Sequence, residues 1–516
     1  MVQYGAFGWY NRAILYQSEQ SIIGKKRTTM FLALDRTLPR PLWQQLVDAL
    51  IEQMAHGQLP VDDVLPPTRD LAHILGVSRS TVQVAYEELF ARGYVTTSGK
   101  GGTRVIAVPA PHRDQQAPQM TGAPVVQLRP DPIAEELADW LQVNAVKPLD
   151  INFRHQEPWI DDHFRRAWRR AAARALSAMK PEDWGYQSPY GTSAVRHHIR
   201  DYLAVVRGIT VDTNQILMTS GAQHAVDLIA QTLLARGATA AVEDPGFPGA
   251  RLTLAYRGIQ VVGVPVDADG MQVDAIPASA RLIFVTPTHQ RPTGVVLSAS
   301  RRQHLLDLAH QHGAWIVEDD FDSEYRYRGG PLPPLFADAG SHVLYILTFS
   351  KLLTPALRLA AIVGPAPAMA QLANVHSLID RHLPIMEQLT LAEFMRAGDF
   401  TRHLRRMRQL YRTRHEILMR QLMDSRLARL FRIHGAETGL HIFLEADPTF
   451  SEEAAVEAAA NRGVGIYPLR PYRYRGSRRG LLMGFAQTDQ QAIAEGVRRL
   501  DKLCGDGLLG GPITEK

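Results

Sequence analysis

The sequence contains a single cysteine, Cys504, among its 516 residues. One thiol cannot form an intramolecular disulfide. Because a sequence with a single cysteine is typical of a reducing compartment, we expect a cytoplasmic location. No apolar run reaches the roughly 18 residues that a membrane-spanning helix needs. The first 29 residues also lack an apolar core followed by a small-residue cleavage site, which argues against a secretory signal. These absences predict a protein without a membrane partner.

The sequence also lacks a strong excess of either charge. Its formal net charge is +5 and its pI is about 9.2, and residues 36–104 contain seven Lys or Arg against seven Asp or Glu. Bulk charge therefore does not predict nucleic-acid binding, which must be argued from the placement of individual side chains. A chain of this length without an internal repeat favours two or three domains.

Two segments lack the periodic apolar pattern of a folded domain. Residues 1–35 are predicted to be a disordered extension, with Met30 as an alternative start site. Residues 108–149 are rich in Pro, Gln, Ala and Gly around one helical patch at 132–142. This composition predicts a linker, and a flexible linker of that length would have an r.m.s. span of roughly 35 Å.

A winged helix-turn-helix is predicted over residues 36–107. Apolar residues recur at helical spacing in 41–57, and 65–95 form two short helices about a Gly-Val turn, with Thr68 and Ser78 as capping residues. Two short helices joined by a glycine-containing turn are typical of DNA-binding motifs. Strand-like residues on both sides of the SGKGG turn complete the pattern as a wing.

Residues 150–505 show a different periodicity. Apolar strand-like runs alternate with helical stretches, which predicts an α/β domain with a mostly parallel sheet and helices on both faces. In such sheets the functional groups collect beyond the carboxyl ends of the strands, where the polar clusters of this segment lie. A basic helix at 403–416 carries arginines on several sides, and we interpret it as a solvated scaffold helix.

Three residues that follow predicted strands have the chemistry of a pyridoxal 5′-phosphate site. Lys351 follows the strand VLYILTFS, so we expect its amine to project from the strand end as the Schiff-base residue. Asp319 lies in the strand WIVEDD, where a buried carboxylate can keep the pyridine nitrogen of the cofactor protonated. Phe247 comes just after a strand, at a position from which it can stack on the cofactor ring.

A phosphate cradle can be assembled from two further segments. Ser220, Gly221 and Ala222 lead from a strand into a helix. The N–H groups and the dipole at the start of that helix favour a phosphate. Ser350 and Arg358 can add contacts, the arginine through charge-assisted hydrogen bonds.

Several long motifs resemble known families. They are LPPTRDLAHILGVSRSTV, TPTHQRPTG, EDDFDSEYRY, TFSKLLTPALRLA and HLRRMRQLYRTR. Residues 41–105 resemble the GntR winged helix, and residues 150–500 resemble fold-type I pyridoxal-phosphate proteins of the aspartate aminotransferase class. The combination in this order is similar to the MocR/GabR group of bacterial transcription regulators.

The resemblance implies roles for further residues. It implies a homodimer in which Tyr186 reaches the cofactor phosphate of the partner subunit. Arg479 matches a position where aminotransferases hold a substrate carboxylate, with Arg478 and Arg470 as alternatives. The positions that touch a double-stranded DNA operator in GntR proteins correspond to Arg69, Ser78, Arg79, Ser80, Thr81 and, on the wing, Lys100.

Two positions depart from the pattern of that group. Phe321 stands where the family usually has a tyrosine whose phenol hydrogen-bonds the ring oxygen of the cofactor. Arg291 stands where aminotransferases have an asparagine, and it can either replace the lost donor or recognise an acidic effector. Both changes argue against efficient transamination, but they leave Schiff-base formation at Lys351 intact.

The sequence therefore predicts a transcription regulator rather than a metabolic enzyme. Its pyridoxal-phosphate domain is expected to sense an amine or amino-acid effector, or the cofactor itself, through Lys351. An active aminotransferase that carries a DNA-binding domain is the alternative. No metal site is predicted.

Overall fold

The computed structural model describes residues 14–16, 30–32, 34–98, 102–108, 131–143, 149–155, 157–338 and 341–507. These residues belong to two compact units, which divide between Leu128 and Arg129. Within the described ranges, no helix is both long enough and apolar enough to cross a bilayer.

The first unit is a winged helix-turn-helix, as predicted. Its elements are β1 (Ile14–Tyr16), β2 (Met30–Leu32), α1 (Leu42–Ala55), β3 (Val64–Leu65), α2 (Thr68–Leu75), α3 (Arg79–Ala91), β4 (Val95–Ser98) and β5 (Gly102–Val105). Strands β3, β5 and β4 form an antiparallel sheet in that order, and β4 and β5 are the wing. The apolar faces of the three helices meet in one core around Leu50, Val82 and Leu89.

Local sequence explains where α2 and α3 begin and end. Ser78 caps α3, because its side chain accepts a hydrogen bond from the Thr81 N–H at 3.1 Å. Gly76 ends α2 in the left-handed conformation, with φ +62°. The predicted capping role of Thr68 is not observed, because α2 begins at Thr68 itself, after Pro67. The Thr68 hydroxyl instead accepts a hydrogen bond from Arg79 Nε at 3.4 Å.

The second unit alternates helices and strands. In chain order the elements are α4 (Pro132–Val143), β6 (Ile151–Asn152), α5 (Asp162–Ala178), α6 (Ser193–Tyr202), β7 (Ile216–Thr219), α7 (Ala222–Leu233), β8 (Thr239–Asp244), α8 (Pro248–Tyr256), β9 (Gln260–Asp267), β10 (Gly270–Met271), β11 (Ala280–Val285), α9 (Ala299–His312), β12 (Trp315–Asp320), α10 (Leu335–Asp338), β13 (Val343–Thr348), β14 (Ala360–Val363), α11 (Ala366–Ile379), α12 (Ile385–Arg396), α13 (Asp399–Met423), α14 (Leu427–Leu430), β15 (Arg432–His434), β16 (His441–Ala446), α15 (Glu452–Ala460), β17 (Val464–Gly465), β18 (Tyr467–Pro468), β19 (Arg479–Gly484) and α16 (Gln490–Gly505).

An eight-stranded sheet lies at the centre of this unit. Its order is β10-β9-β8-β11-β12-β13-β14-β7, and neighbouring strands from β9 to β13 are parallel. Strand β14 runs antiparallel to both of its neighbours, so β7 points the same way as the parallel strands. Alternate strand residues enter two different cores: Ile316 packs in one and Val317 in the other. Apolar cores on both faces confirm the predicted α/β class.

The four-stranded sheet β15-β16-β19-β18 is antiparallel throughout. Its Phe443 and Leu482 form a small apolar cluster with Tyr467, Leu469 and Tyr472. Tyr472 also lies close to the end of β11, because its ring is 5.9 Å from the guanidinium of Arg291. The segment between β18 and β19 therefore supplies one wall of the functional site.

Two segments differ from the predicted domain boundaries. Helix α4 lies in the predicted linker 108–149 but belongs to the second unit, because Glu136 pairs with Arg251 on α8 and Trp140 meets the Phe247 ring edge-on at 6.3 Å. Such contacts cannot be read from composition. Within the segment 1–35, predicted to be disordered, β1 pairs antiparallel with β2, and most of the remainder lies outside the described residues.

Candidate cofactor site and DNA-binding surface

Lys351 lies just beyond the carboxyl end of β13, a strand that is buried along its whole length. Withdrawal of its amine from water lowers the pKa of Lys351 to about 7, and the nearby positive charge of Arg291 acts in the same direction. A large share of the amine is therefore neutral near pH 7, as attack on an aldehyde requires.

The two carboxylates that end β12 have different surroundings. Asp320 Oδ2 accepts hydrogen bonds from Arg207 at 2.5 Å and from the Tyr345 hydroxyl at 2.7 Å. Asp319 is only 3% exposed, and its Oδ1 has no hydrogen-bond partner among the described residues. Burial raises the pKa of Asp319 to about 7, and a cationic nitrogen placed opposite Oδ1 would lower this pKa again. Asp319 can therefore accept a ring nitrogen, whereas Asp320 is already satisfied.

A cradle for an anion lies where β7 leads into α7. Gly221 has φ +104°, and a Cβ added there would lie 2.6 Å from Nη2 of Arg358, so only glycine fits. Arg358 itself has φ +49° and donates from Nη2 to the Ser220 carbonyl at 2.8 Å. Because α7 begins at Ala222, its first N–H groups are available at the same place. Ser350, whose N–H donates to Thr348 Oγ1 at 3.3 Å, follows β13 at the same edge of the sheet.

The Arg291 guanidinium lies among three aromatic rings. Its central carbon is 4.7 Å from the centre of the Phe247 ring, 5.8 Å from that of Phe321 and 5.9 Å from that of Tyr472. Within the described part of the chain, no residue forms an ion pair or a side-chain hydrogen bond with this guanidinium. A partly desolvated cation without an anionic partner is suited to bind an anion.

Three buried histidines that the sequence analysis missed surround the same cluster. His289 stacks on Phe321 with ring centres 5.4 Å apart, and its Nδ1 lies 2.8 Å from Asp322 Oδ1. Burial, together with nearby charges that include Arg291 and Lys351, lowers the pKa values of His155 and His441 well below the usual value for histidine. The sequence feature that could have identified His289 as a site residue is its position in the HQRPTG motif, close to Arg291.

Two residues singled out by the resemblance lie apart from this cluster. Tyr186 is 85% exposed, and its described contacts are with Arg381 and His382. Arg479 begins β19, and none of its described contacts reaches Lys351; strand alternation directs it away from the face on which Leu482 meets Tyr467. The alternatives are occupied elsewhere, since Arg478 binds Glu445 and Arg470 binds Glu453.

The predicted DNA-contacting residues are gathered at the start of α3 and of α2. Arg69, Ser78, Arg79 and Ser80 are exposed and Thr81 is partly exposed, whereas Val82 turns into the core. An exposed first turn with arginine and hydroxyl groups can reach base edges and phosphates. Lys100 lies outside the described residues.

The arginines of α13 mostly serve their own domain. Arg406 binds Asp161 at 2.8 Å, Arg408 donates to the Glu324 carbonyl at 2.8 Å, and Arg414 is buried. The scaffold role predicted for this helix fits these contacts, although these three arginines are less solvated than we expected.

The residues present fit pyridoxal phosphate. The orphaned Oδ1 of Asp319 lies at the carboxyl end of β12, and the amine of Lys351 and the cradle at Gly221 follow β13 and β7; all three strands end at the same edge of one sheet. When bound, this cofactor supplies an aldehyde that reacts with amines and a ring that withdraws electrons. Fold and site therefore define a winged helix joined to a fold-type I pyridoxal-phosphate domain.

Comparison with known families agrees with this architecture. The aminotransferase class I and II family matches residues 161–500, and the gntR family of bacterial regulatory proteins matches residues 42–105. The chain belongs to the MocR-type group of GntR regulators, in which both domains occur in this order. Its pyridoxal-phosphate cofactor follows from the same match.

Individual relatives cover nearly the whole chain. The probable rhizopine catabolism regulatory protein MocR of Rhizobium meliloti is 33% identical, over 91% of this chain and 95% of its own length. The pyridoxine biosynthesis transcriptional regulator PdxR of Corynebacterium glutamicum is 31% identical, over 90% and 96%. Among solved structures, the α-aminoadipate aminotransferase LysN of Thermus thermophilus superposes with a TM-score of 0.63 at 26% identity, covering 72% of this chain and 95% of its own.

Proposed function

We propose that this protein is a transcription regulator whose pyridoxal-phosphate domain senses an amine or amino-acid effector at Lys351. One observation carries the proposal: the same chain has an exposed first turn of α3 at Arg79, where DNA contacts are predicted, and a buried amine beside the orphaned carboxylate of Asp319. An effector that binds two conformations unequally shifts their populations, and thereby the affinity for DNA.

The effector is expected to carry an acidic group besides its amine. Arg291 stands with its guanidinium unpaired within the described residues and close enough to Lys351 to lower the pKa of that amine. A carboxylate or similar anion on the effector would provide the partner that the guanidinium lacks. Our proposal assigns this role to Arg291 rather than to Arg479, because strand alternation places Arg479 on the face of β19 opposite to Leu482 and the Tyr472 cluster.

A homodimer is part of the proposal. Trp184 is 70% exposed, Tyr186 85% and Leu378 87%, which is unusual for large apolar and aromatic side chains. Burial of these residues against a second copy would explain their exposure in one chain. A dimer also presents two winged helices, as paired DNA half-sites require.

Helix α4 offers a route from the effector to the linker. Its Trp140 contacts the Phe247 ring, which in turn lies against Arg291. Its Glu136 pairs with Arg251, which stacks on Tyr474 at 4.9 Å. A movement of Phe247 or Arg291 on effector binding would therefore be transmitted to α4, the helix that follows the linker.

The proposal is tested by a screen of amines on the protein with bound cofactor. Visible absorbance reports reaction at the cofactor, and a DNA-shift assay in the same samples reports regulation. We expect one class of acidic amines to change both signals, with neutral amides of the same compounds much weaker. Absorbance changes without any change in DNA affinity, for every compound, would contradict the sensor function.

The alternative functions predict different outcomes. A relative named 2-aminoadipate transaminase, from Thermus thermophilus, is 29% identical over 66% of this chain, which supports testing for an active aminotransferase. Formation of many equivalents of keto acid per chain would favour that enzyme. The relative PdxR is named for pyridoxine biosynthesis, and DNA binding that responds to the cofactor alone would indicate a sensor of pyridoxal phosphate.

Replacing Glu136 with glutamine should weaken transmission without harming the site. The change removes the charge that pairs with Arg251, so we expect roughly 1 kcal/mol less coupling between effector and DNA, about a fivefold smaller effect on DNA affinity. The measurement is DNA affinity with and without effector. Glu135→Gln on the same helix is the control, since Glu135 is exposed; equal losses in both variants would refute a specific role for Glu136.

Replacing Arg79 with alanine should weaken DNA binding while leaving the cofactor domain intact. Arg79 is exposed in the first turn of α3, and one lost base contact costs about 1–3 kcal/mol, roughly a 5- to 150-fold loss of affinity. Fluorescence anisotropy on operator DNA measures the loss. Arg92→Ala, at the far end of the same helix, is the matched control and should bind DNA normally.

A further inference from the structure

We propose that His224, His376 and Asp380 form a binding site for a divalent transition metal of the zinc type, behind the phosphate cradle. One ring nitrogen of each histidine and a carboxylate oxygen of Asp380 lie within 4.8 Å of one another. Two imidazoles and one carboxylate are a set of ligands that binds Zn²⁺ well and leaves a position for water. The proposal is independent of the effector and of the regulatory function.

The two histidines have nitrogen atoms that nothing else explains. Nε2 of His376 and Nε2 of His224 are both buried, and neither has a hydrogen-bond partner among the described residues. The His376 residue is fully buried, at 0% exposure. The rings meet edge to face with centres 5.2 Å apart. A buried polar atom without a partner is costly, and a metal ion between the two rings would satisfy both atoms.

Neighbouring groups orient both rings. The Nδ1 of His376 is 2.8 Å from the carbonyl of Pro189. A carbonyl only accepts, so Nδ1 carries the proton and Nε2 presents its lone pair, which is the arrangement that second-shell partners give to metal-binding histidines.

His224 connects this cluster to the cofactor site. Its Nδ1 lies 2.9 Å from Ser220 Oγ and 3.2 Å from the Ser220 N–H. While that N–H is donated to Nδ1, the ring proton lies on Nε2. Metal binding at Nε2 therefore requires the other neutral tautomer, in which the proton lies on Nδ1 and is donated to Ser220 Oγ in place of the bond from the Ser220 N–H. A bound ion would tie the first turn of α7 to the end of α11 and hold Ser220 in place.

The ligand atoms need only a small movement to reach the spacing of a tetrahedral zinc site. Ligand atoms around tetrahedral Zn²⁺ lie roughly 3.3 Å apart, as follows from bonds of about 2.0–2.1 Å. Asp380 follows the last turn of α11 and is exposed, so its side chain can rotate to close the site without disturbing the core.

The test is a Zn²⁺ titration of the full chain with bound pyridoxal phosphate. We expect one Zn²⁺ per chain and an affinity at least roughly tenfold lower in His224→Gln, His376→Gln and Asp380→Asn. Asp380→Asn is the decisive variant, because an exposed residue can be changed without unfolding the domain. Co²⁺ substitution adds a spectroscopic check, since ligand-field bands should report imidazole ligands and should disappear in the same variants.

His304→Gln is the matched control. His304 Nδ1 lies 3.6 Å from Asp274 in another exposed histidine–aspartate pair, so it reports nonspecific surface binding. Parental stoichiometry and affinity in this variant, together with losses in the other three, support the site. Equal Zn²⁺ binding in all five proteins, or no Zn²⁺ binding by the parent, would overturn it.

Discussion

Replacing Lys351 with alanine is expected to remove both the absorbance band of the Schiff base and the response of DNA binding to the effector. Effector-free DNA affinity should stay within about twofold, because the predicted DNA-contacting residues belong to another compact unit. The reason is chemical: the amine with a pKa of about 7 beside Asp319 is the group that can bond to the cofactor aldehyde. No other residue described near Asp319 offers an amine.

Two measurements separate this outcome from unfolding. The cradle at Gly221 and Arg358 remains in Lys351→Ala, so the variant should still bind pyridoxal phosphate, more weakly, and should melt cooperatively. Lys502→Ala changes an exposed lysine on α16 and should behave like the parent in every assay. If Lys351→Ala kept its effector response, the sensing site would lie elsewhere. If a folded variant lost DNA binding altogether, the division of labour between the two units would be wrong.

Much of the fold and of the site follows from short-range patterns. A short continuous apolar run that ends in polar residues predicts a buried parallel strand, and the carboxyl ends of such strands meet at one edge. Lys351 and Asp319 could therefore be predicted together, although 31 residues lie between them in the chain. The capping residue Ser78 and the terminating Gly76 follow from equally local rules.

The long-range contacts could not be predicted from the sequence. The pairing of Glu136 with Arg251 joins α4 to the second unit. Because these two residues are 115 positions apart, no local pattern predicts their contact. The packing of His155 against His441 and the facing of His224 and His376 depend on the same kind of tertiary approach. A lone histidine has no periodic or neighbouring signal, so a cluster of histidines appears only when the chain is folded. The direction of the Arg479 side chain has a similar origin, because the face of β19 is set by its partners in the sheet.

Replacing Arg291 with glutamine is expected to reduce the affinity for an acidic effector by about 30-fold or more. Loss of one partner from a desolvated, charge-assisted contact costs roughly 2 kcal/mol or more. The response to the neutral amide of the same effector should change little, because that compound has no charge for Arg291 to bind. Equal losses for the two compounds would instead support the other interpretation, in which Arg291 replaces the donor missing at Phe321 and acts on the cofactor. Arg291→Lys keeps the charge but loses the planar fork, so an intermediate loss is expected.

The Arg291→Gln variant should also shift the pH dependence of the reaction between the Lys351 amine and pyridoxal phosphate. Arg291 lowers the pKa of Lys351, so removing its charge should raise that pKa above about 7. Only the neutral amine attacks the aldehyde, so its reaction with pyridoxal phosphate speeds up as pH rises through the pKa. Stopped-flow recovery of the absorbance band in cofactor-free protein should therefore show a midpoint near pH 7 in the parent, a similar one in Arg291→Lys and a higher one in Arg291→Gln. An unchanged midpoint in Arg291→Gln would mean that burial alone sets the pKa of Lys351. That result would contradict our placement of the Arg291 charge close to the Lys351 amine.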